Sequence, residues 1–204
     1  MKRPMIPGLL VAALIAGCAT LSALAPAQEK PPDVLIIHAG GTPVTKKVTP
    51  ANVDAVSCPT PAAVNCKTLA EQTAAALRKK RLNVKAVAAG DVKSRDEILG
   101  ARLVVLASPS YFGGVSWKMH KMFDERFFEI FVAGGERLAK KPFAALIMGK
   151  SEPKCAKSVE AVAGIVKACN GTPGPSTIVL VSDGADEVKA KVDKFADEIA
   201  GRLK

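Results

Sequence analysis

The sequence predicts an α/β fold with a doubly wound parallel sheet of five strands. From Pro32 onward, short apolar runs rich in β-branched residues alternate with longer segments of helical periodicity. The strands are nearly continuous apolar runs, which is typical of parallel strands that are buried on both faces. Because a helix follows each strand, helices are expected to cover both faces of the sheet. In such folds the ligand site lies at the carboxyl ends of the strands.

The elements follow one another in a regular order. The five strands are DVLIIHAGG, LNVKAVAAG, ARLVVLASP, KPFAALIMGK and STIVLV. The helices are LAEQTAAALRKKR, a short helix that Ser94 and Glu97 begin, the segment after Gly114, SVEAVAGIVKACNG and VKAKVDKFADEIAGRLK. Thr68 and Glu71 have the spacing of a capping box at the start of the first helix.

Two helices have faces that identify core residues. Spacing of three and four residues predicts that the first helix buries one side, formed by Leu69, Thr73, Ala76 and Leu77. The same reasoning predicts a larger apolar stripe after Gly114, formed by Met119, Met122, Phe123, Phe127, Ile130 and Phe131. These faces pack on the sheet.

Length and charge limit the classes of function. A chain of 204 residues suits one domain with an additional segment. The formal charge of +10 favours anionic partners. Lysines and arginines form no block with interleaved aromatic residues, and the cations of Lys79–Arg81 suit the end of a helix. Nucleic-acid binding is therefore not expected.

The first residues have the features of an export signal. A basic start precedes an apolar run from Leu9 to Ile15 that is too short to span a bilayer. The residues Ile-Ala-Gly-Cys that end at Cys18 resemble a lipoprotein cleavage site, with Cys18 as the lipid anchor; cleavage after Ala25-Pro26-Ala27 is the alternative. We expect a signal peptide over 1–17, an Ala/Pro-rich tether over 18–32 and the domain over 33–204, on the periplasmic side of a membrane.

Four further cysteines are candidates for disulfides in an oxidising compartment. Cys58 and Cys66 flank a short loop and are the favoured pair. Cys155 and Cys169 would lie ~21 Å apart if both were on one helix, and a disulfide allows a Cα separation of only about 4.4–6.8 Å. No cysteine spacing or histidine partner supports a metal site.

The turn after the third strand has the composition of a ligand-binding loop. It reads SPSYFGG, from Ser108 to Gly114. Tyr111 and Phe112 can form an apolar wall for a flat ring, and Pro109 fixes the turn. Glycines allow a close approach of the backbone. In the alternative interpretation the two aromatic residues only cover the core.

This turn, with Ser116, Met119 and Phe123-x-Glu125 on the next helix, resembles the flavodoxin-like family, in particular its NAD(P)H-dependent FMN reductase and quinone reductase branch. The resemblance covers the strand and helix units from Asp33 to Lys204. It implies a strand order of 2-1-3-4-5 and FMN as cofactor. The cofactor-binding residues it implies are Asn65, Thr68, Ser108, Pro109, Ser110, Tyr111, Phe112, Gly113 and Gly149.

The loop after the first strand departs from the family pattern. In relatives it is short, and its amides hold the flavin phosphate at a helix N-terminus. Here an insertion of about two dozen residues exceeds the usual connection, and Asn65 keeps the register. The insertion either supplies its own phosphate donors, covers the site as a lid held by Cys58 and Cys66, or fills the site. The candidate donors within it are Thr42, Thr45, Lys46 and Lys47.

The leading functional hypothesis is an FMN-dependent redox protein outside the cytoplasm. Because little nicotinamide cofactor is expected there, a quinone or another redox protein is a better partner than NAD(P)H. The alternative is a lipoprotein that has the fold without flavin and acts as a binding or scaffold module. His38 and His120 are expected to be structural, and no catalytic residue is assigned. The sequence leaves open whether the protein forms a homo-oligomer.

Overall fold

The structure is a computed structural model, and it describes residues 30–40, 65–133 and 138–204. Pro31–Lys204 forms one compact unit. Residues 1–29 and the insertion over 41–64 lie outside the described residues. The predicted signal peptide, the lipid anchor at Cys18 and the insertion's candidate phosphate donors therefore stay predictions.

The sheet has the predicted class and order. Its strands are β1 (Val34–His38), β2 (Val84–Ala88), β3 (Leu103–Tyr111), β4 (Gly114–Val115), β5 (Pro142–Gly149) and β6 (Thr172–Leu180). The order is β2-β1-β3-β5-β6, and all four pairings along it are parallel. The two-residue β4 pairs antiparallel with β3 at one end of the sheet. Without β4, this is the predicted order 2-1-3-4-5.

Helices cover both faces of this sheet, as predicted. They are α1 (Cys66–Lys79), α2 (Arg95–Gly100), α3 (Trp117–Met122), α4 (Phe128–Val132), α5 (Glu152–Ala168) and α6 (Ala185–Arg202), with a π-helical turn over Phe123–Phe127. Buried side chains from α1 and α6 form one core layer with the sheet, and those from α2 to α5 form the other. Among the described residues, no helix has both the length and the apolar composition needed to cross a membrane.

The apolar stripe after Gly114 packs on the sheet with one exception. Its buried members are Met119, Met122, Phe123, Phe127 and Ile130. Phe131 is 44% exposed, so its predicted place in the core was wrong. It follows the buried Ile130 by one position, which turns its side chain about 100° away along a helix.

The start of α1 differs from the predicted capping box. Asn65 is the N-cap, and its Oδ1 accepts a hydrogen bond of 2.9 Å from the Thr68 amide. Asn65 has an extended backbone, so the helix begins three residues before Leu69. Glu71 instead lies 3.8 Å from the Lys67 ammonium on the exposed side of the helix.

Cys66 and Cys155 are free thiols. Cys66 is buried in the core layer of α1, and burial raises the pKa of its thiol to about 12. Cys66 does not form the predicted disulfide, and its predicted partner Cys58 lies outside the described residues. Cys155 lies in the first turn of α5 and Cys169 directly follows that helix, so the two do not pair.

Candidate functional site

The carboxyl end of β1 meets the N-terminus of α1 beside β3. The Ala39 amide donates 2.8 Å to the Ala107 carbonyl oxygen and holds the chain after β1 against β3. A Cβ on Gly40 would lie 2.7 Å from the Lys67 amide nitrogen and 3.1 Å from His38 Nδ1. Because glycine has no Cβ, its backbone can pass close to both nitrogen atoms, whereas a side chain at this position would collide with the start of α1.

The first turn of α1 is suited to an anion. The Leu69 amide makes the first intrahelical bond, to the Asn65 carbonyl oxygen, and Asn65 Oδ1 caps Thr68. The amides of Cys66 and Lys67 precede the first intrahelical donor, so they have no acceptor within the helix. The first turn contains no acidic residue. The partial positive charge of a helix N-terminus is therefore not neutralised by a side chain of that turn.

His38 places a buried imidazole beside the N-terminus of α1. Its side chain ends β1 and is 8% exposed, and Nδ1 has no hydrogen-bond partner among the described residues. Burial lowers the pKa of His38, and the nearby Lys67 ammonium lowers it further, while Glu71 and Asp91 act in the opposite direction. Buried polar atoms almost always have a partner. An orphaned nitrogen here therefore points to a ligand.

The aromatic turn after β3 is a tight hairpin at the sheet's rim. Tyr111 pairs with Gly114, and Phe112 and Gly113 form the two-residue turn between them. Both turn residues have positive φ, 53° and 88°, as a type I′ turn requires. Phe112 adopts this conformation although it is a bulky residue, and it is 98% exposed. The hairpin thus presents an exposed aromatic side chain, on a strained backbone, beside the strand ends.

Ser108 forms hydrogen bonds within the fold. Its side chain is fully buried, and its Oγ donates 3.0 Å to the Pro109 carbonyl oxygen and accepts from the Ser116 amide at 3.0 Å. Ser116 is in turn the N-cap of α3, and its Oγ accepts from the Met119 amide. Ser108 therefore anchors the start of α3 to β3.

Ser110 and Gly149 join the hairpin to α5. Ser110 Oγ lies 2.8 Å from Ser158 Oγ, and Ser158 Oγ lies 2.9 Å from the Gly114 carbonyl oxygen, to which it can donate. A Cβ on Gly149 would lie 2.5 Å from Cys155 Sγ, so glycine lets α5 begin directly after β5. The hairpin consequently packs against α5 on the side that Ser110 faces.

Tyr111 lies on the other side of the hairpin. Side chains alternate between the two faces along a strand, so Tyr111 shares its side with Ala107. Ala107 packs in the core layer of α1 and α6. The side chain of Tyr111 is thus on the α1 side of the sheet, where His38 and Gly40 also lie.

The structure divides the predicted cofactor-binding residues into three groups. Asn65 and Thr68 lie at the N-terminus of α1, and Tyr111, Phe112 and Gly113 lie at the tip and base of the hairpin. The third group is occupied in internal contacts or in the sheet: Ser108, Pro109, Ser110 and Gly149. Their roles toward FMN stay predictions.

Sequence reasoning missed His38 as a site residue. The available signal was its position, because it ends a buried strand at the edge where ligands bind. Its missing hydrogen-bond partner depends on α1, which is more than two dozen residues further along the chain.

Comparison with known proteins bears on the fold. No protein-family model matches the chain, and a search of curated proteins gives no significant match. Among solved structures, a flavodoxin from Streptococcus pneumoniae TIGR4 superposes with a TM-score of 0.58 at 14% sequence identity, covering 83% of this chain and 98% of that one. The chain has a flavodoxin-like fold.

Other flavodoxin-like structures agree. A WrbA-like flavodoxin from Agrobacterium tumefaciens gives a TM-score of 0.55 at 14% identity, over 84% of this chain and 98% of that one. The two-electron reduced flavodoxin of Megasphaera elsdenii gives 0.52 at 15% identity, over 80% and 98%. In this flavodoxin-like fold the site described above occupies the carboxyl ends of β1 and β3, where ligands of doubly wound sheets bind.

Proposed function

We propose that this protein binds FMN at the carboxyl ends of β1 and β3 and acts as a redox protein. The observation that carries the proposal is His38 Nδ1, which has no partner among the described residues and lies close to Gly40, beside the Lys67 amide at the N-terminus of α1. A phosphate group has acceptor oxygens for both nitrogen atoms and suits the partial positive charge of the helix N-terminus. FMN, when bound, supplies the electron-transfer chemistry that the protein side chains lack.

The hairpin suits the ring of the same ligand. Tyr111 is half-buried on the α1 side, and Phe112 is exposed at the tip. A flat, largely apolar ring binds well between an aromatic wall and backbone groups at a sheet edge. Flavodoxins similar in fold, one of them described in its two-electron reduced form, support this assignment.

A quinone or a second redox protein fits the proposed electron exchange. The formal charge of +10 favours an acidic protein partner or an anionic lipid surface. A location outside the cytoplasm, which we infer from the N-terminal segment, makes NAD(P)H a less suitable donor. The resemblance to the NAD(P)H-dependent FMN reductase branch supports this proposal in two respects, the fold and the sequence of the hairpin.

Flavin loading tests the proposal directly. The purified protein, incubated with excess FMN and desalted, should keep a yellow chromophore that is released on denaturation. The Tyr111→Ala variant should bind FMN about 10-fold more weakly, because stacking of a flat ring on an aromatic side chain contributes about 1–3 kcal/mol. Trp117→Ala, which removes an exposed aromatic residue of α3, is the control and should bind FMN normally. A wild-type protein that stays colourless refutes the proposal.

A flavin-free scaffold is the second candidate function. It is favoured by the packing of the hairpin on α5, since Ser110 and Ser158 close the space between them. Ser108 and Gly149 are likewise committed to internal contacts. This candidate predicts the colourless outcome of the same experiment.

We also propose that Cys18 anchors the protein to a membrane through a lipid. Expressed in a bacterium with a lipoprotein pathway, the full chain should sediment with membranes and need detergent for release, because acyl chains bury apolar area in the bilayer. The Cys18→Ser variant should appear in the soluble fraction. Equal membrane association of both forms would refute the anchor.

A further inference from the structure

His38 combines three properties at one position: it is buried, its Nδ1 has no partner among the described residues, and it ends the strand that leads to the N-terminus of α1. We propose that His38 is a phosphate-binding residue that takes up one proton when the phosphate of FMN enters the site. This inference rests on the proposed function and extends it, because it assigns a ligand group and a pH dependence to a residue that the hairpin motif does not include.

The geometry places the imidazole where an anion would bind. The position of a Cβ on Gly40 is 3.1 Å from His38 Nδ1 and 2.7 Å from the Lys67 amide nitrogen. Both nitrogen atoms therefore lie close to the Gly40 backbone and to each other, so different oxygens of one phosphate group can accept hydrogen bonds from the two. The 14-residue helix α1 adds the partial positive charge of its N-terminus.

Charged groups around His38 set its protonation without a ligand. Lys67 on α1 disfavours the imidazolium, whereas Glu71 on the same helix and Asp91 after β2 favour it. Burial is the largest influence, and together these effects lower the pKa of His38 from its ordinary value. The imidazole is therefore neutral in the ligand-free protein at pH 7 to 8.

A bound phosphate changes this balance. A dianion in contact with the imidazole favours the charged form, because an opposite charge within about 4–6 Å raises the pKa of a histidine. The proton comes from solvent and stays on the ring, and no covalent bond of the ligand breaks. Since the bound form has the higher pKa, the affinity for phosphate rises as pH falls from 8 to 6.5. A phosphate monoester has its second pKa at about 6, so it remains mostly dianionic over this range.

Calorimetry on the wild-type protein tests the proposal without any substitution. FMN is titrated at pH 7.2 in two buffers with different enthalpies of ionisation, and the difference in observed heat gives the number of protons taken up. We expect an uptake approaching one proton for FMN, a smaller uptake for inorganic phosphate, part of which already carries that proton at this pH, and none for riboflavin, which lacks the phosphate. FMN should also bind at least about 3-fold more tightly at pH 6.5 than at pH 8, with about 10-fold per pH unit as the upper limit for one proton.

Two variants test whether His38 is the group that takes up the proton. His38→Asn keeps a nitrogen near the position of Nδ1 but does not titrate, so proton uptake and the pH dependence of FMN affinity should disappear. His120→Gln removes the only other histidine, which is exposed on α3, and should behave like the wild type. Because His120→Gln leaves His38 as the sole histidine, its NMR titration with and without phosphate reports the imidazole directly.

The outcomes separate this inference from the proposed function. FMN binding without proton uptake overturns the role of His38 and leaves the flavin assignment in place. Phosphate binding with proton uptake but without FMN binding supports the role of His38 and overturns the flavin assignment. Binding of neither FMN nor phosphate between pH 6.5 and 8 overturns both.

Discussion

Replacing Phe127 with alanine is expected to lower the free energy of unfolding by about 3–5 kcal/mol, the usual cost of truncating a fully buried phenylalanine. Phe127 is 2% exposed and packs edge-to-face with Phe123 and Phe143, with ring centroids 5.0 and 5.6 Å away. Such pairs add about 0.5–1.5 kcal/mol beyond the burial of area. The residue thus connects the π-helical turn to β5, and its loss leaves a cavity between helix and sheet.

Denaturant unfolding followed by circular dichroism measures this effect. The matched control is Phe128→Ala, which removes the neighbouring phenylalanine, 60% exposed. Its cost should be below about 1 kcal/mol, as for most surface substitutions. Equal effects of the two substitutions would contradict the arrangement in which Phe127 faces the core and Phe128 faces solvent.

Replacing Gly40 with alanine is expected to weaken FMN binding by about 10-fold or more, since it displaces the Lys67 amide and one hydrogen bond to a charged phosphate contributes about 1.5–3 kcal/mol. The new methyl group would lie 2.7 Å from the Lys67 amide nitrogen and 2.9 Å from Lys67 Cβ. These are closer than van der Waals contact, so the start of α1 must shift. The methyl group would also lie 3.1 Å from His38 Nδ1 and crowd the imidazole.

Quenching of FMN fluorescence measures the affinity of this variant, and circular dichroism shows whether it folds. Gly90→Ala is the control, because a Cβ there would meet no atom within 4 Å. The control should bind FMN as the wild type does. A folded Gly40→Ala protein with affinity within 3-fold of the wild type would place the phosphate elsewhere.

The arrangement of strands and helices was predictable because it depends on local patterns. The apolar run of β1 and the buried face of α1 are encoded in consecutive residues, and the alternation of strand and helix leaves few topologies. The sheet order follows, and Leu69 and Leu77 are buried as their spacing predicts. Phe131 shows the limit of this reasoning, because the width of a buried stripe depends on what packs against it.

The candidate site was only partly predictable. The sequence singled out the hairpin residues Tyr111 and Phe112 because their composition is unusual for a strand end, and their role toward a ligand stays a prediction. The internal use of Ser108 and Gly149 was not, because it depends on Ser116 and Cys155, which other elements bring into contact. A motif specifies residue types, but it does not specify which of their atoms already form hydrogen bonds or contacts within the fold.

The sequence alone determined the strand and helix units of the domain, since periodicity and apolar content act over a few residues at a time. Only the tertiary structure decided that Cys66 faces the core as a free thiol, that the hairpin packs on α5, and that a His38 nitrogen beside α1 has no partner in the part of the chain that the structure describes. Each of these depends on distances between residues far apart in the chain. Such distances follow from the packing of the whole sheet and its helices, which no local pattern encodes.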